Sequence, residues 1–240
     1  VGAQLRKKAL IAMMVDSKRI EAFILCLFSL NVVKTSYSTM VIGLILLTAI
    51  ISWQGFQNPA FLDRMLFNPY RIKHNGEWPR FFTHMVVHLD WSHLIFNMMT
   101  LYFIGDYLFK EYSILFGPIK GVYYFLALYL MGGLFATLYS YYKHQDQPGY
   151  RSLGASGAVT AVLFAFIAAH PTQGLMLMFI PIPIPAYIFG PVYLLIEYYA
   201  FRKGNTGIAH DAHISGALVG ILFVLFFIPG YAQFFASLFH

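Results

Sequence analysis

The sequence is poor in charge and has a single cysteine, Cys26. Charged side chains make up 11% of it and hydrophobic ones 59%, against roughly 25% and 45–50% in soluble domains. A soluble globule so composed would expose large apolar patches and aggregate. One cysteine excludes a disulfide scaffold, and the apolar, aperiodic chain excludes disorder and collagen-like sequence. The alternating ten-residue segments of a transmembrane barrel are also missing. What remains is an all-α, polytopic membrane protein.

The charges that do occur leave long gaps between them. Uncharged stretches cover 35–62, 91–105, 121–142, 152–196 and 212–240. A helix crosses the hydrocarbon in about 20 residues, so 152–196 holds two crossings and each other stretch one. The expected architecture is a six-transmembrane-helix bundle, with spans near 40–56, 92–109, 119–141, 154–170, 178–201 and 213–228. In the fifth, Pro181, Pro183 and Pro185 alternate with isoleucines, and each removes a helical donor. That run reads as an extended approach at the membrane interface, with the helix starting near Pro185.

Residues 1–39 are basic, carrying Arg6, Lys7, Lys8, Lys18, Arg19 and Lys34 against Asp16 and Glu21. They read as a cytoplasmic tail or an upstream extension, the tail being favoured. Residues 40–230 form the expected helical core and 231–240 a short tail. A basic start points to an inside amino terminus, although the loop at 57–91 carries Arg64, Arg71, Lys73 and Arg80 on the other side.

Several polar residues stand where a membrane helix should be apolar. Gly154-Ala-Ser156-Gly157 opens the fourth span, Ala212-His213-Ile-Ser-Gly216 the sixth, and His93-Leu-Ile-Phe-Asn97 the second. His93 and Asn97, four apart, share a helix face. Spans two, four and six of a six-span chain start from the same membrane side, so Ser156, His213, His93 and Asn97 are expected at one depth. The chemistry that fits is acyl transfer. A serine hydroxyl needs a base to take its proton, and the tetrahedral intermediate needs donors for its oxyanion. The unpaired first-turn N–H groups of the fourth helix, with the His93 imidazole and the Asn97 amide, supply them. Asp211, two residues from His213, would face away from it on a helix, so a Ser–His dyad is expected. Each piece has a blander reading. Gly-x-Ser-Gly and Gly216-x-x-x-Gly220 suit close helix packing, and polar side chains join membrane helices.

These motifs resemble the rhomboid intramembrane serine proteases over about 190 residues, from Met40 to Phe227. The shared pattern is Trp-Pro-Arg80-Phe-Phe-Thr-His, His93-x-x-x-Asn97, Gly154-Ala-Ser156-Gly157 and Ala212-His213-x-x-Gly216-x-x-x-Gly220. The resemblance implies that Ser156 is the nucleophile and His213 the general base, with His93, Asn97 and the Ser156 backbone N–H as oxyanion donors. It implies that Arg80 steadies the long first loop and that Gly154, Gly157, Gly216 and Gly220 allow close packing around the dyad. The substrates would be transmembrane proteins entering sideways from lipid between spans two and five, with no cofactor, metal or nucleic acid required. A bacterial plasma membrane is the expected setting, with the site facing the outer side. The chain departs from the family in carrying Thr160, one turn after Ser156, where an aromatic residue often stacks on the imidazole.

Two other functions compete. A multispan metal-dependent hydrolase could draw on His84, His88, His210 and His213, although the His-Glu-x-x-His pattern is absent. A non-catalytic relative that binds membrane clients would be expected to lose Ser156 or His213, and both are present.

Overall fold

The structure is a computed structural model, and it describes residues 39–177, 180–204 and 209–231. The chain divides into a unit Val1–Met40 and a unit Val41–His240. Nearly all of the basic segment 1–39 and of the tail 231–240 lies outside the described residues.

Helix α1, Thr39–Gln57, is long and apolar enough to cross a membrane. The loop that follows is itself built of short helices. Two Asn-Pro pairs start α2 (Pro59–Met65) and α3 (Pro69–Asn75). In each, the asparagine side chain accepts a hydrogen bond from the first turn, while proline takes a position that needs no donor. Gly76, at φ 70°, ends α3 in a left-handed turn. Helix α4 (Arg80–Thr83) and a 3₁₀ turn (His84–Val86) complete the loop. Phe67, Ile72 and Phe81 form its own small core, against which Leu134, Leu138 and Tyr141 pack from the long helix α7 (Pro118–His144).

Asp90 caps α5 (Trp91–Thr100), which passes through a π turn (Leu101–Gly105) into α6 (Asp106–Phe116). This rod outruns the expected second span, 92–109, because its charges are partnered. Asp106 pairs with Lys110 one turn on, and Glu111 lies 2.9 Å from His170. After α7 come α8 (Ser156–Ala169), α9 (Ala186–Lys203) and α10 (His210–Phe227). Of these four, α7 and α10 are long and apolar enough to span a membrane, and α8 is a shorter apolar helix. Each expected span therefore falls on a helix, and among the described residues α1, α7 and α10 meet the length and composition of a crossing.

Between α8 and α9 lies an antiparallel ribbon, β1 (Gly174–Leu177) with β2 (Ile180–Pro185), in which Gly174 pairs Pro185 and Leu175 pairs Ile184. The alternating prolines are thus extended, and α9 begins directly after Pro185. Alternation confines the missing donors to one edge of the strand, which a two-stranded ribbon with a free edge tolerates.

Helix α8 is the centre of the bundle. Every residue from Gly157 to Val162 and from Phe164 to Ala168 is buried, and α7, α10 and the π turn pack around it. It descends away from its N-terminal serine, α9 returns, and α10 starts again from the serine end. That winding brings the last turns of α9 and the first turns of α8 and α10 to one level.

Candidate active site

The segment before Ser156 is held by the first loop through backbone bonds. Ser152 exchanges two hydrogen bonds with Phe67, of 2.9 and 3.1 Å, and the Gly154 N–H donates to the His84 carbonyl at 2.9 Å. The Ala155 N–H donates to His88 Nε2 at 3.4 Å, which leaves the His88 proton on Nδ1, 2.9 Å from Ser52 Oγ of α1. The Ser52 hydroxyl in turn donates to the Val86 carbonyl at 3.1 Å. Burial pushes the His84 imidazole from its ordinary 6.5 down to about 4, against interactions with the Gly154 and Phe81 backbone. Burial, then the nearby His93, takes His88 down to about 3. Both are neutral latches.

Arg80 keeps the loop in shape. It is 2% exposed. Its Nε donates to Glu77 at 2.6 Å, and its Nη1 to the carbonyls of Asp63 and Leu66 at 2.8 and 2.6 Å. Partial burial of Glu77 favours its neutral acid, but hydrogen bonds from Arg80, Arg71 and Asn75 outweigh this and hold its carboxyl below the usual range.

Ser156 is the first residue of α8, and the cap position is Ala155, whose methyl makes no hydrogen bond to the helix. The first-turn N–H groups therefore keep their donors and the positive end of the helix dipole. The neighbouring α5 shows the contrast, its N-terminus being closed by the Asp90 carboxylate on the His93 N–H at 2.8 Å.

Glycines set the distance between α8 and α10. A Cβ on Gly216 would collide with the Gly157 carbonyl, and one on Gly220 with the Ala161 carbonyl. A Cβ on Gly157 would lie 2.6 Å from that of Ala136 on α7. With the backbones touching at Gly157 and Gly216, Ser156 and His213 occupy the first turns of adjoining helices. Among the described residues the Ser156 hydroxyl makes no hydrogen bond to His213; such contacts are often long without substrate and tighten in the complex.

His93 rests on Gly154. That glycine has φ 118°, which L side chains rarely adopt, and a Cβ there would stand 2.5 Å from His93 Cε1. The ring also meets His88 edge-on at 5.0 Å. Asn97, buried one turn below, gives one amide hydrogen to the His93 carbonyl at 3.1 Å. The structure thus gathers Ser156, His213, His93 and Gly154 around the α8 N-terminus, with Asn97 just beneath.

One acidic residue at this level did not emerge from the motifs. Glu197, on α9, has Oε1 3.0 Å from His213 Nδ1 and Oε2 2.6 Å from His210 Nδ1. The His210 contact is an aligned hydrogen bond, whereas the His213 contact is an ion-pair distance without that alignment. Tyr193, one turn earlier, interacts with Glu197, and its hydroxyl lies 3.4 Å from Thr160 Oγ1. A signal for Glu197 existed in the sequence: a carboxylate within an apolar membrane segment is by default functional. Asp211 turns away as helical spacing requires, and its carboxylate is bonded to Ser140 of α7.

Donor atoms of Glu197, His210 and His213 lie within 4.8 Å of one another, close enough to hold a metal ion. This is the one such group among the described residues, and it takes only His210 and His213 of the histidines expected for a metal hydrolase. His84 and His88 are spent on the loop.

Comparison with known proteins bears on the same region. Residues 75–230 match the family described as Rhomboid domain. RHOMBOID-like protein 12, mitochondrial, of Arabidopsis thaliana is 28% identical over 200 residues, covering 76% of this chain and 56% of that protein. Rhomboid protease AarA of Providencia stuartii is 29% identical over 181 residues, covering 67% and 60%. A shorter match, 37% over 81 residues, is to the uncharacterized rhomboid protein P4H10.10, mitochondrial, of Schizosaccharomyces pombe. The chain spans less than two thirds of the length of each of these relatives.

Proposed function

This chain belongs to the rhomboid family, and from that premise we propose that it is an intramembrane serine endopeptidase working by Ser156 and His213. The observation that carries the reading is the glycine seam. It sets a serine on an uncapped helix N-terminus beside a histidine on the touching helix. In this reading the core crosses the membrane six times, residues 40–230 form the catalytic domain, and 1–39 and 231–240 are appendages.

The steps follow from the groups present. His213 takes the Ser156 Oγ proton as the oxygen attacks the scissile carbonyl. The carbonyl π electrons move to oxygen, and the oxyanion meets the first-turn N–H groups of α8, the His93 imidazole and the Asn97 amide. Removal of one such donor typically costs about 3 kcal/mol of barrier. The intermediate collapses, the C–N bond breaks, and His213 hands its proton to the leaving amine. Water then repeats the sequence on the acyl-enzyme, releasing the new carboxyl terminus and restoring Ser156. Arg80, His84 and His88 hold the loop that holds 152–155, while Gly154, Gly157, Gly216 and Gly220 keep backbones close enough for this geometry.

The substrates are transmembrane segments reaching the site from lipid between the α5–α6 rod and α9. A segment that unwinds readily is preferred, because a stable helix keeps its carbonyls occupied. The compartment is not carried over: two of the relatives are named as mitochondrial, so the expectation of a bacterial plasma membrane is withdrawn, and with it the assigned orientation.

The test is cleavage of a membrane-anchored substrate by purified protein in lipid, together with labelling by a fluorophosphonate. Ser156→Ala and His213→Ala should each lower turnover by at least about a thousandfold while remaining folded, and Ser156→Ala should abolish labelling. The Glu197–His210–His213 group keeps a metal hydrolase as the second reading. Cleavage that survives Ser156→Ala but stops with a chelator would establish that one.

A further inference from the structure

We propose, resting on the serine-protease reading, that Glu197 is the positioning residue of the general base and extends the expected dyad to a Ser156–His213–Glu197 relay. A carboxylate has acceptors only. Nδ1 of His210 is hydrogen-bonded to it at 2.6 Å, and Nδ1 of His213 stands 3.0 Å away, close but not yet aligned. A bare lone pair so near a carboxylate would be repelled, which favours the proton on Nδ1 of each ring. A neutral imidazole has one N–H. Holding it on Nδ1 leaves the lone pair of His213 on Nε2, the nitrogen that can take the Ser156 proton. When His213 becomes an imidazolium, the carboxylate is already beside it.

His210 gives the arrangement its rigidity. It occupies the second oxygen, so the plane of the carboxylate is set by two rings rather than one. Tyr193, one turn before Glu197 on α9, has its hydroxyl 3.4 Å from Thr160 Oγ1 on α8. Thr160 is the position where an aromatic ring would otherwise stack on the base. In this chain Thr160 meets the Tyr193 hydroxyl instead, and the same helix, α9, brings Glu197 to His213.

Other nearby groups do not offer the same contact. Asp211 is bonded to Ser140, and His93, on α5, has no anionic acceptor to give. Simple gluing of α9 to α10 would be served by an uncharged amide, at lower cost than a carboxylate within a membrane helix.

Glu197→Gln separates positioning from gluing. Glutamine keeps the size, can accept from one histidine and donate to the other, and lacks the charge. A positioning role predicts that kcat falls at least about tenfold with KM within about twofold. Fluorophosphonate labelling of Ser156 should slow in parallel, with an unchanged unfolding midpoint. Wild-type kcat and labelling in Glu197→Gln, or an effect confined to KM, overturns it. A second measurement needs no variant of Glu197. In the wild-type protein with ¹⁵N-labelled histidine, the His213 resonance, assigned by its loss in His213→Ala, should report the Nδ1–H tautomer, and an Nε2–H tautomer overturns the proposal. So does loss of cleavage on adding EDTA, which would give these side chains to a metal. Failure of the parent reading looks different: Ser156→Ala would then cleave like wild type, whatever Glu197 does.

Discussion

Helices α8 and α9 follow one another in the chain, and they are built on opposite plans. In α8 all but Ser156, Leu163 and Ala169 are buried, among small residues such as Gly157, Ala158, Ala161 and Ala165. In α9 only Ala186, Gly190 and Glu197 are buried, and Tyr187, Leu195, Ile196 and Tyr199 are exposed. A helix enclosed on all sides needs small side chains to let its neighbours' backbones approach. A peripheral helix keeps large ones for lipid. The difference separates two positions: Ser156, the proposed nucleophile, opens the most enclosed helix, and the carboxylate beside His213 arrives on the most exposed of the site helices. Ser156 is flanked by backbone contacts, whereas in the proposed relay the orientation of His213 depends on how α9 docks.

The contrast can be broken most severely from α10. Gly220→Val pushes a branched side chain into the Ala161 carbonyl and the Ala165 N–H, and overpacking of this kind costs about 3 kcal/mol. A fall in the denaturant midpoint in detergent, with loss of cleavage, is the expected result. An unchanged midpoint would mean that the seam is not tight. A smaller effect should come from acid acting on the latch before α8. The folded values of His84 and His88, about 4 and about 3, lie below the ordinary 6.5, so the unfolded chain takes up protons first. Their contribution is therefore complete above about pH 6.5 and is lost progressively as pH falls towards 4 and 3. Unfolding midpoints should drop steadily between about pH 7 and 4.5, whereas a flat profile would remove the histidines from the account. The smallest effect belongs to α9. In Gly190→Ala the new Cβ stands 3.2 Å from Ile167 Cγ2, a side-chain methyl that must give by only a few tenths of an ångström. The gain in helix propensity, about 1 kcal/mol, roughly offsets that crowding. A shift as large as that of Gly220→Val would erase the distinction between the helices.

Much of this was legible from local rules. Charge spacing placed the helices, the alternating prolines announced extended backbone before α9, and the Asn-Pro pairs mark the starts of α2 and α3. Helical period put His93 and Asn97 on one face and turned Asp211 from His213. Less legible were the ends of the α5–α6 rod, because its acids and Lys110 find partners that hydropathy does not see. Glu197 was hidden for a related reason: its partners, His210 and His213, lie on another helix.

What the sequence determined alone is everything that depends on distance along the chain: the membrane setting, the order of helices, and the helix face shared by His93 and Asn97. What only the tertiary structure decided is which side chains meet across helices. His88 reaches Ala155, His93 lies on Gly154, and Glu197 comes between His210 and His213. Those meetings depend on the rotation and approach of each helix about its axis. Rotation is set by packing, here by glycines that let carbonyl meet Cα, and no spacing within a single helix encodes the partner on the next.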